Sequence, residues 1–161
     1  MEIERKFLID GFPNLPVLSQ AVMEQGYLTT EPVVRIRSKK TQDGVNYKLC
    51  IKGKGTLVRE EIETPITQEV FEKIKRFIGV PLIRKEFREY SLPDGLILEV
   101  SCVDEGEPTQ FYYAEVEFDS VEAANKFTPP EFLGKELTED PTFTMSHHWR
   151  RKLELYSKEN K

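Results

Sequence analysis

Glu2, Glu4 and Lys6 stand two residues apart at the start of the chain, in the run EIERKF. The same spacing returns in Arg35, Arg37 and Lys39, in Lys48, Cys50 and Lys52, in Arg59, Glu61 and Glu63, and in Glu115 and Glu117. Glu99 follows the pattern between Ile97 and Ser101. Residues two apart on a β-strand share one face. Carboxylates side by side on a face repel one another unless a cation, a lysine or water lies between them. On any single strand a solvated face is the ordinary explanation. The recurrence points further: if the strands close into a barrel, these faces turn inward together. Charges enclosed in that way must be paired, metal-bound or solvated. A ligand rich in negative oxygens, with a hard divalent cation, satisfies both signs at once. Carboxylates hold Mg²⁺ or Mn²⁺, which bridge to phosphate oxygens. Arginine and lysine take the remaining oxygens.

Strands must carry these charges, and period-two alternation predicts eight of them. They fall at about Glu2–Ile9, Gln25–Thr29, Val33–Lys39, Val45–Ile51, Val58–Thr64, Leu82–Ser91, Leu96–Val103 and Phe111–Asp119. QDGVN and LPDGL each contain Asp-Gly, a hairpin signal, and KGKGT reads as another tight connection. Short strands at hairpin spacing favour an antiparallel barrel or sandwich. Three helices interrupt them. Thr67 caps QEVFEKIKRFI, whose apolar stripe is Val70, Ile74, Phe77 and Ile78 and which ends at Gly79. Ser120 caps VEAANKF, and a last helix starts near Thr142 or Thr144 and runs through MSHHWRRKLELYSKE. The fold class is α+β.

The 161 residues suffice for one domain, 1–161, with its own core. At 39% hydrophobic and 32% charged the chain is soluble in composition, without a stretch long enough to span a membrane. Charge from the second residue argues against a secretory signal, and two distant cysteines, Cys50 and Cys102, fit a reducing cytoplasm. A net charge of −5 argues against general nucleic-acid binding but leaves room for a small anionic ligand. KGKGT lacks the spacing and the following helix of a P-loop. His147 and His148, the two histidines, are adjacent on a helix and point about 100° apart, so they do not chelate together.

The ordered set EIERKF, QGYL, VRIR, LCIKG, REEIE, LPDG, AEVEF and GKELTED resembles the CYTH superfamily, the triphosphate tunnel metalloenzymes. The compact length is most similar to its short bacterial inorganic triphosphatases. The resemblance implies an eight-stranded antiparallel β-tunnel with flanking helices and a C-terminal helix. It implies metal-dependent hydrolysis of the terminal phosphoanhydride of tripolyphosphate, a small-molecule substrate. Class IV adenylate cyclase, thiamine triphosphatase and a non-catalytic polyphosphate- or nucleotide-binding module are the alternatives, and a homodimer stays open. It implies metal binding by Glu2, Glu4, Glu115 and Glu117. It implies phosphate contacts from Lys6, Arg35, Arg37, Lys52, Arg59 and Arg88, and support from Glu61, Glu63 and Glu99. It implies that Lys85 and Tyr27 take the catalytic positions that handle the leaving group or water. The chain departs from the pattern at three places. Lys85 and Arg88 are three apart and share a face only across a bulge. Ser101 stands where an aspartate is usual, and Thr142 and Phe143 stand where arginine and tyrosine are common.

Overall fold

The computed structural model describes residues 1–159. Nine strands, β1 (Glu2–Leu8), β2 (Val17–Thr30), β3 (Val33–Thr41), β4 (Gly44–Lys52), β5 (Val58–Arg59), β6 (Glu61–Pro65), β7 (Ile83–Ser91), β8 (Ile97–Val103) and β9 (Phe111–Glu117), form one antiparallel sheet. Helices α1 (Gln68–Ile78), α2 (Val121–Lys126) and α3 (Met145–Glu159) flank it. The strand order is β5-β1-β9-β8-β7-β2-β3-β4-β6.

The two edge strands are halves of one run. The segment expected as a single strand from Val58 to Thr64 breaks at Glu60: its first half pairs with β1, its second with β4. Glu60 keeps a bond at the break, its carbonyl oxygen accepting from Gly53 N at 3.0 Å. One run shared by both edges closes the sheet into a tunnel and leaves little free edge. Nine strands therefore replace the expected eight. The segment expected at Gln25–Thr29 is also longer, fourteen residues from Val17. Ser19, Gln20 and Glu24 blur its alternation, but hydrogen bonding to β7 on one side and β3 on the other carries it through.

The helices follow their local signals. Thr67 Oγ1 accepts from Val70 N at 3.1 Å to open α1, and Gly79 closes it at φ 71°, a conformation glycine takes without strain. Ser120 accepts from Ala123 N to open α2. No helix among the described residues is long and apolar enough to cross a membrane.

The apolar residues pack outside the tunnel. Phe7, Tyr90, Leu98, Val100, Val116 and Phe118 form one cluster with Ala124 of α2. Ile36, Phe71, Ile83 and Trp149 belong to a second, beneath α1 and α3. Arg5 lies on the outer face of β1, where its guanidinium meets Glu136 at 2.6 Å and donates to the carbonyl oxygens of Ala124 and Phe127. Strand parity thus sends the core one way and the other set of charges inward.

Candidate active site

Inside the tunnel a cavity of about 280 Å³ is lined by Glu2, Glu4, Lys6, Tyr27, Arg35, Arg37, Lys52, Arg59, Glu61, Glu63, Lys85, Glu99, Glu115 and Glu117. Every site residue expected from the sequence is there except Arg88. The cavity opens into a vestibule of about 560 Å³, which shares Glu4, Lys6, Lys52 and Arg59 and adds Lys54, Thr56, His147 and Arg150.

Register sets the sectors. Glu4 lies opposite Glu117, and Glu115 lies between Lys6 on β1 and Glu99 on β8. Tyr27 lies opposite Arg35, and Lys52 opposite Glu61. Acids line β1, β6, β8 and β9, with Lys6 among them on β1; bases line β3, β4 and β7 and, at Arg59, β5. Lys52 crosses between them, its Nζ 3.1 Å from Glu2 Oε1 and 3.3 Å from Glu61 Oε2.

The acidic sector is strongly perturbed. Burial, and then the charge of Glu115, holds the Glu4 carboxyl well above the usual range. Burial also opposes a charge on Glu115, but Lys6, a hydrogen bond with Glu4 and Lys85 outweigh it and keep that group ionised. The two carboxyls therefore titrate as a coupled pair, Glu4 pushed up and Glu115 held down. Burial, with Glu115 and Glu117 nearby, pushes Glu99 up to about 8. Burial and Glu2 raise Glu117.

In the basic sector, burial and Arg37 lower Lys85 well below its ordinary range. Its Nζ donates to Tyr113 Oη at 2.6 Å. The buried Nε atoms of Arg35 and Arg37 have no hydrogen-bond partner. Unpaired buried donors are costly, and in a cavity wall they are donors awaiting an acceptor.

Glu2, Glu4 and Glu117 each offer a carboxylate oxygen, all within 4.8 Å of one another. Three convergent hard oxygens fit a hard divalent cation. Glu115, expected with them, is instead paired with Glu4 and faces Lys6 and Lys85. Cys50, Glu61 and Glu63 form a second convergent group, but Lys48 and Lys52 already engage its carboxylates.

Arg88 is corrected by the same parity. β7 pairs without a bulge from Lys85 to Ser91 against β8, so residues three apart take opposite faces. Arg88 lies outside, its guanidinium 3.9 Å from the centre of the Phe12 ring. Tyr27 lines the cavity, but its hydroxyl accepts from Gln25 Nε2 at 3.1 Å, while the partner of Lys85 is Tyr113. Tyr113 and the first turn of α3, Thr144 to Ser146, also line the cavity and were not among the expected residues. Tyr113 was within reach, two residues before Glu115 on the inward face of β9; the helix turn leaves no such periodic signal.

No protein-family model matches the chain. An inorganic triphosphatase of Nitrosomonas europaea is 37% identical to it over 142 residues, 88% of this chain and 92% of the relative. An inorganic triphosphatase of Acetivibrio thermocellus is 28% identical over 151 residues, 91% of each. A crystal structure of an inorganic triphosphatase superposes with a TM-score of 0.65 at 30% identity, covering 92% of this chain and 93% of the other.

Proposed function

The chain belongs to the inorganic triphosphatases of the triphosphate tunnel fold, and from that premise we propose that it hydrolyses tripolyphosphate to pyrophosphate and orthophosphate with Mg²⁺ or Mn²⁺. One observation carries the reading: two charged sectors of opposite sign face a single cavity, with unpaired guanidinium nitrogens on one side and a convergent carboxylate trio on the other.

Glu2, Glu4 and Glu117 would hold the cation, which supplies a positive charge that polarises the phosphoryl group. Arg35, Arg37, Lys6 and Lys52 bind the oxygens of the chain and fix its axis along the tunnel. Arg59, where the tunnel meets the vestibule, takes oxygens at that end. As water attacks the terminal phosphorus, the anhydride bond breaks and charge moves onto the departing pyrophosphate oxygen. Fixed guanidinium and ammonium groups stabilise that charge without reorganising. Lys85 and Tyr113, buried and hydrogen-bonded, offer a proton to the leaving oxygen; Tyr27 orders the adjoining wall. Glu61 and Glu63 balance Lys52 and Lys48, and Glu99, beside Glu115, completes the acidic wall.

The test is product analysis after incubating the full chain with tripolyphosphate, ATP or thiamine triphosphate, each with Mg²⁺ or Mn²⁺. Phosphate release from tripolyphosphate exceeds release from ATP. Cyclic AMP and pyrophosphate as the main products from ATP would reassign the tunnel to a cyclase, and faster release from thiamine triphosphate would reassign it to that substrate. Binding without turnover of any of the three would make it a binding module.

A further inference from the structure

α3 has fifteen residues, yet His148 and Trp149 are its buried ones. A helix so lightly held needs a specific anchor, and one lies beneath it. Asp104 follows β8 at φ 50° and is 1% exposed. Its Oδ2 accepts from His148 Nε2 at 2.7 Å, and its Oδ1 accepts from Lys152 Nζ at 3.1 Å and from Arg84 N at 3.0 Å. The Asp104 N–H in turn donates to the Arg84 carbonyl oxygen at 2.8 Å. The ring of Phe111 meets the imidazole edge-on at 5.2 Å.

A buried carboxylate is retained only with its partners complete, and a set of this kind is better at fixing a geometry than at adding stability. Asp104, His148 and Lys152 do not line the tunnel, so the chemistry there does not use them. They fix what does line it. One turn before His148, Thr144 and Ser146 stand in the cavity wall, their hydroxyl oxygens 2.9 Å apart. Thr144 Oγ1 also accepts from His147 N, and the preceding Phe143 carbonyl accepts from Lys6 Nζ at 3.3 Å. The stretch that meets the substrate cavity is thus held by Lys6 at one end and Asp104 at the other. It is also the stretch in which Thr142 and Phe143 replace the arginine and tyrosine expected from the resemblance.

We infer that the Asp104–His148–Lys152 cluster positions the substrate site: it seats the first turn of α3 in the tunnel wall and so sets affinity for the triphosphate. The inference rests on the functional reading above. A histidine that only stabilised the fold would leave affinity alone once the chain had folded; a positioning histidine does not.

The experiment compares the full chain with His148→Leu, His148→Gln and Lys152→Met. Each is assayed for kcat and KM with tripolyphosphate and Mg²⁺, for Tm, and for emission of Trp149. That residue is the chain's single tryptophan, its ring 5.7 Å from that of the cavity-lining Tyr27, so its emission reads the seat of α3. His148→Leu raises KM roughly three- to tenfold, the scale of one lost buried hydrogen bond, with kcat within about twofold. It also shifts the Trp149 emission. His148→Gln, whose amide nitrogen replaces Nε2, restores KM. Lys152→Met gives a smaller rise in KM. A folded His148→Leu with lowered Tm and unchanged KM overturns the positioning role. If His148→Leu does not fold, Lys152→Met decides by the same criterion. A wild type that neither hydrolyses tripolyphosphate nor changes Trp149 emission when tripolyphosphate is added with Ca²⁺ overturns the functional reading, and the positioning role with it. A hydrolytically active wild type whose variants keep its KM overturns the positioning role alone.

Discussion

Replacing Glu99 by glutamine removes the one tunnel acid whose proton affinity is raised to about 8 by burial first and then by Glu115 and Glu117. In the unfolded chain the same carboxyl titrates near its ordinary 4.5. Between those two values the folded chain keeps a proton that the unfolded chain releases. Stability therefore falls as pH rises through that window, is full below it and has lost the whole contribution above it. A tenfold change in proton affinity is worth about 1.4 kcal/mol, so the loss approaches about 3 kcal/mol at pH 7 and at most about 5 kcal/mol above pH 8. Glutamine is neutral throughout and has the shape of the protonated acid, so Glu99→Gln lacks this slope. Urea unfolding in EDTA, at intervals from about pH 5 to 9, gives the comparison. The two proteins nearly coincide at the acid end, and the variant becomes progressively more stable toward alkaline pH. The other tunnel acids titrate in both proteins and largely cancel in the difference. A stability difference that does not vary with pH across the window would refute the argument that burial, and not exposure to water, governs this carboxyl.

Glu2→Gln and Glu117→Gln each abolish tripolyphosphate hydrolysis; the Tm holds or rises for Glu117→Gln, where a repulsion is relieved, and falls slightly for Glu2→Gln, which weakens the pair with Lys52; circular dichroism melts and phosphate release check this. Tripolyphosphate with Ca²⁺ raises the wild-type Tm by roughly 5–10 °C at a hundredfold excess over Kd. The shift is blunted in Arg37→Ala and Lys52→Ala. In Arg5→Ala the shift persists from a lower starting Tm, since that substitution leaves Glu136 unpaired on the outer face. Arg88→Ala leaves KM within about twofold of wild type in the phosphate-release assay, because its guanidinium lies on Phe12 outside the tunnel.

Eight alternating runs were legible because a barrel wall needs one polar and one apolar face, and parity writes that need into each strand. The break at Glu60 was not. Its cause is closure: one run must serve two edges, and which residue yields depends on where β1 and β4 stand after folding. The first half of β2 was hidden for a different reason. Val17 and Leu18 are exposed, so no alternating burial existed there to leave a pattern; pairing with β7 holds the segment extended until β3 joins it at Val22.

The site was more legible than the fold in its membership and less so in its pairings. Knowing that Glu4, Glu115 and Glu117 face inward does not say which two lie opposite one another and which lies opposite Lys6. That follows from register, because the partner of Lys6 across the β1–β9 ladder is Glu115 and the partner of Glu4 is Glu117. A shift of two residues would preserve every inward face and change the partners, setting Glu4 opposite Glu115 or Lys6 opposite Glu117. Arg88 shows the converse: parity alone excludes it, since no bulge interrupts β7 beside β8, and only the resemblance drew it in. The wall formed by Thr144 and Ser146 depends on neither rule. It arises because Asp104, left at the end of β8, finds its partners on a helix more than forty residues later. Two histidines side by side fail as a chelating pair for the same reason that this pairing works. Their rings diverge around the helix, so His148 enters the core beside Phe111 while His147 lines the vestibule.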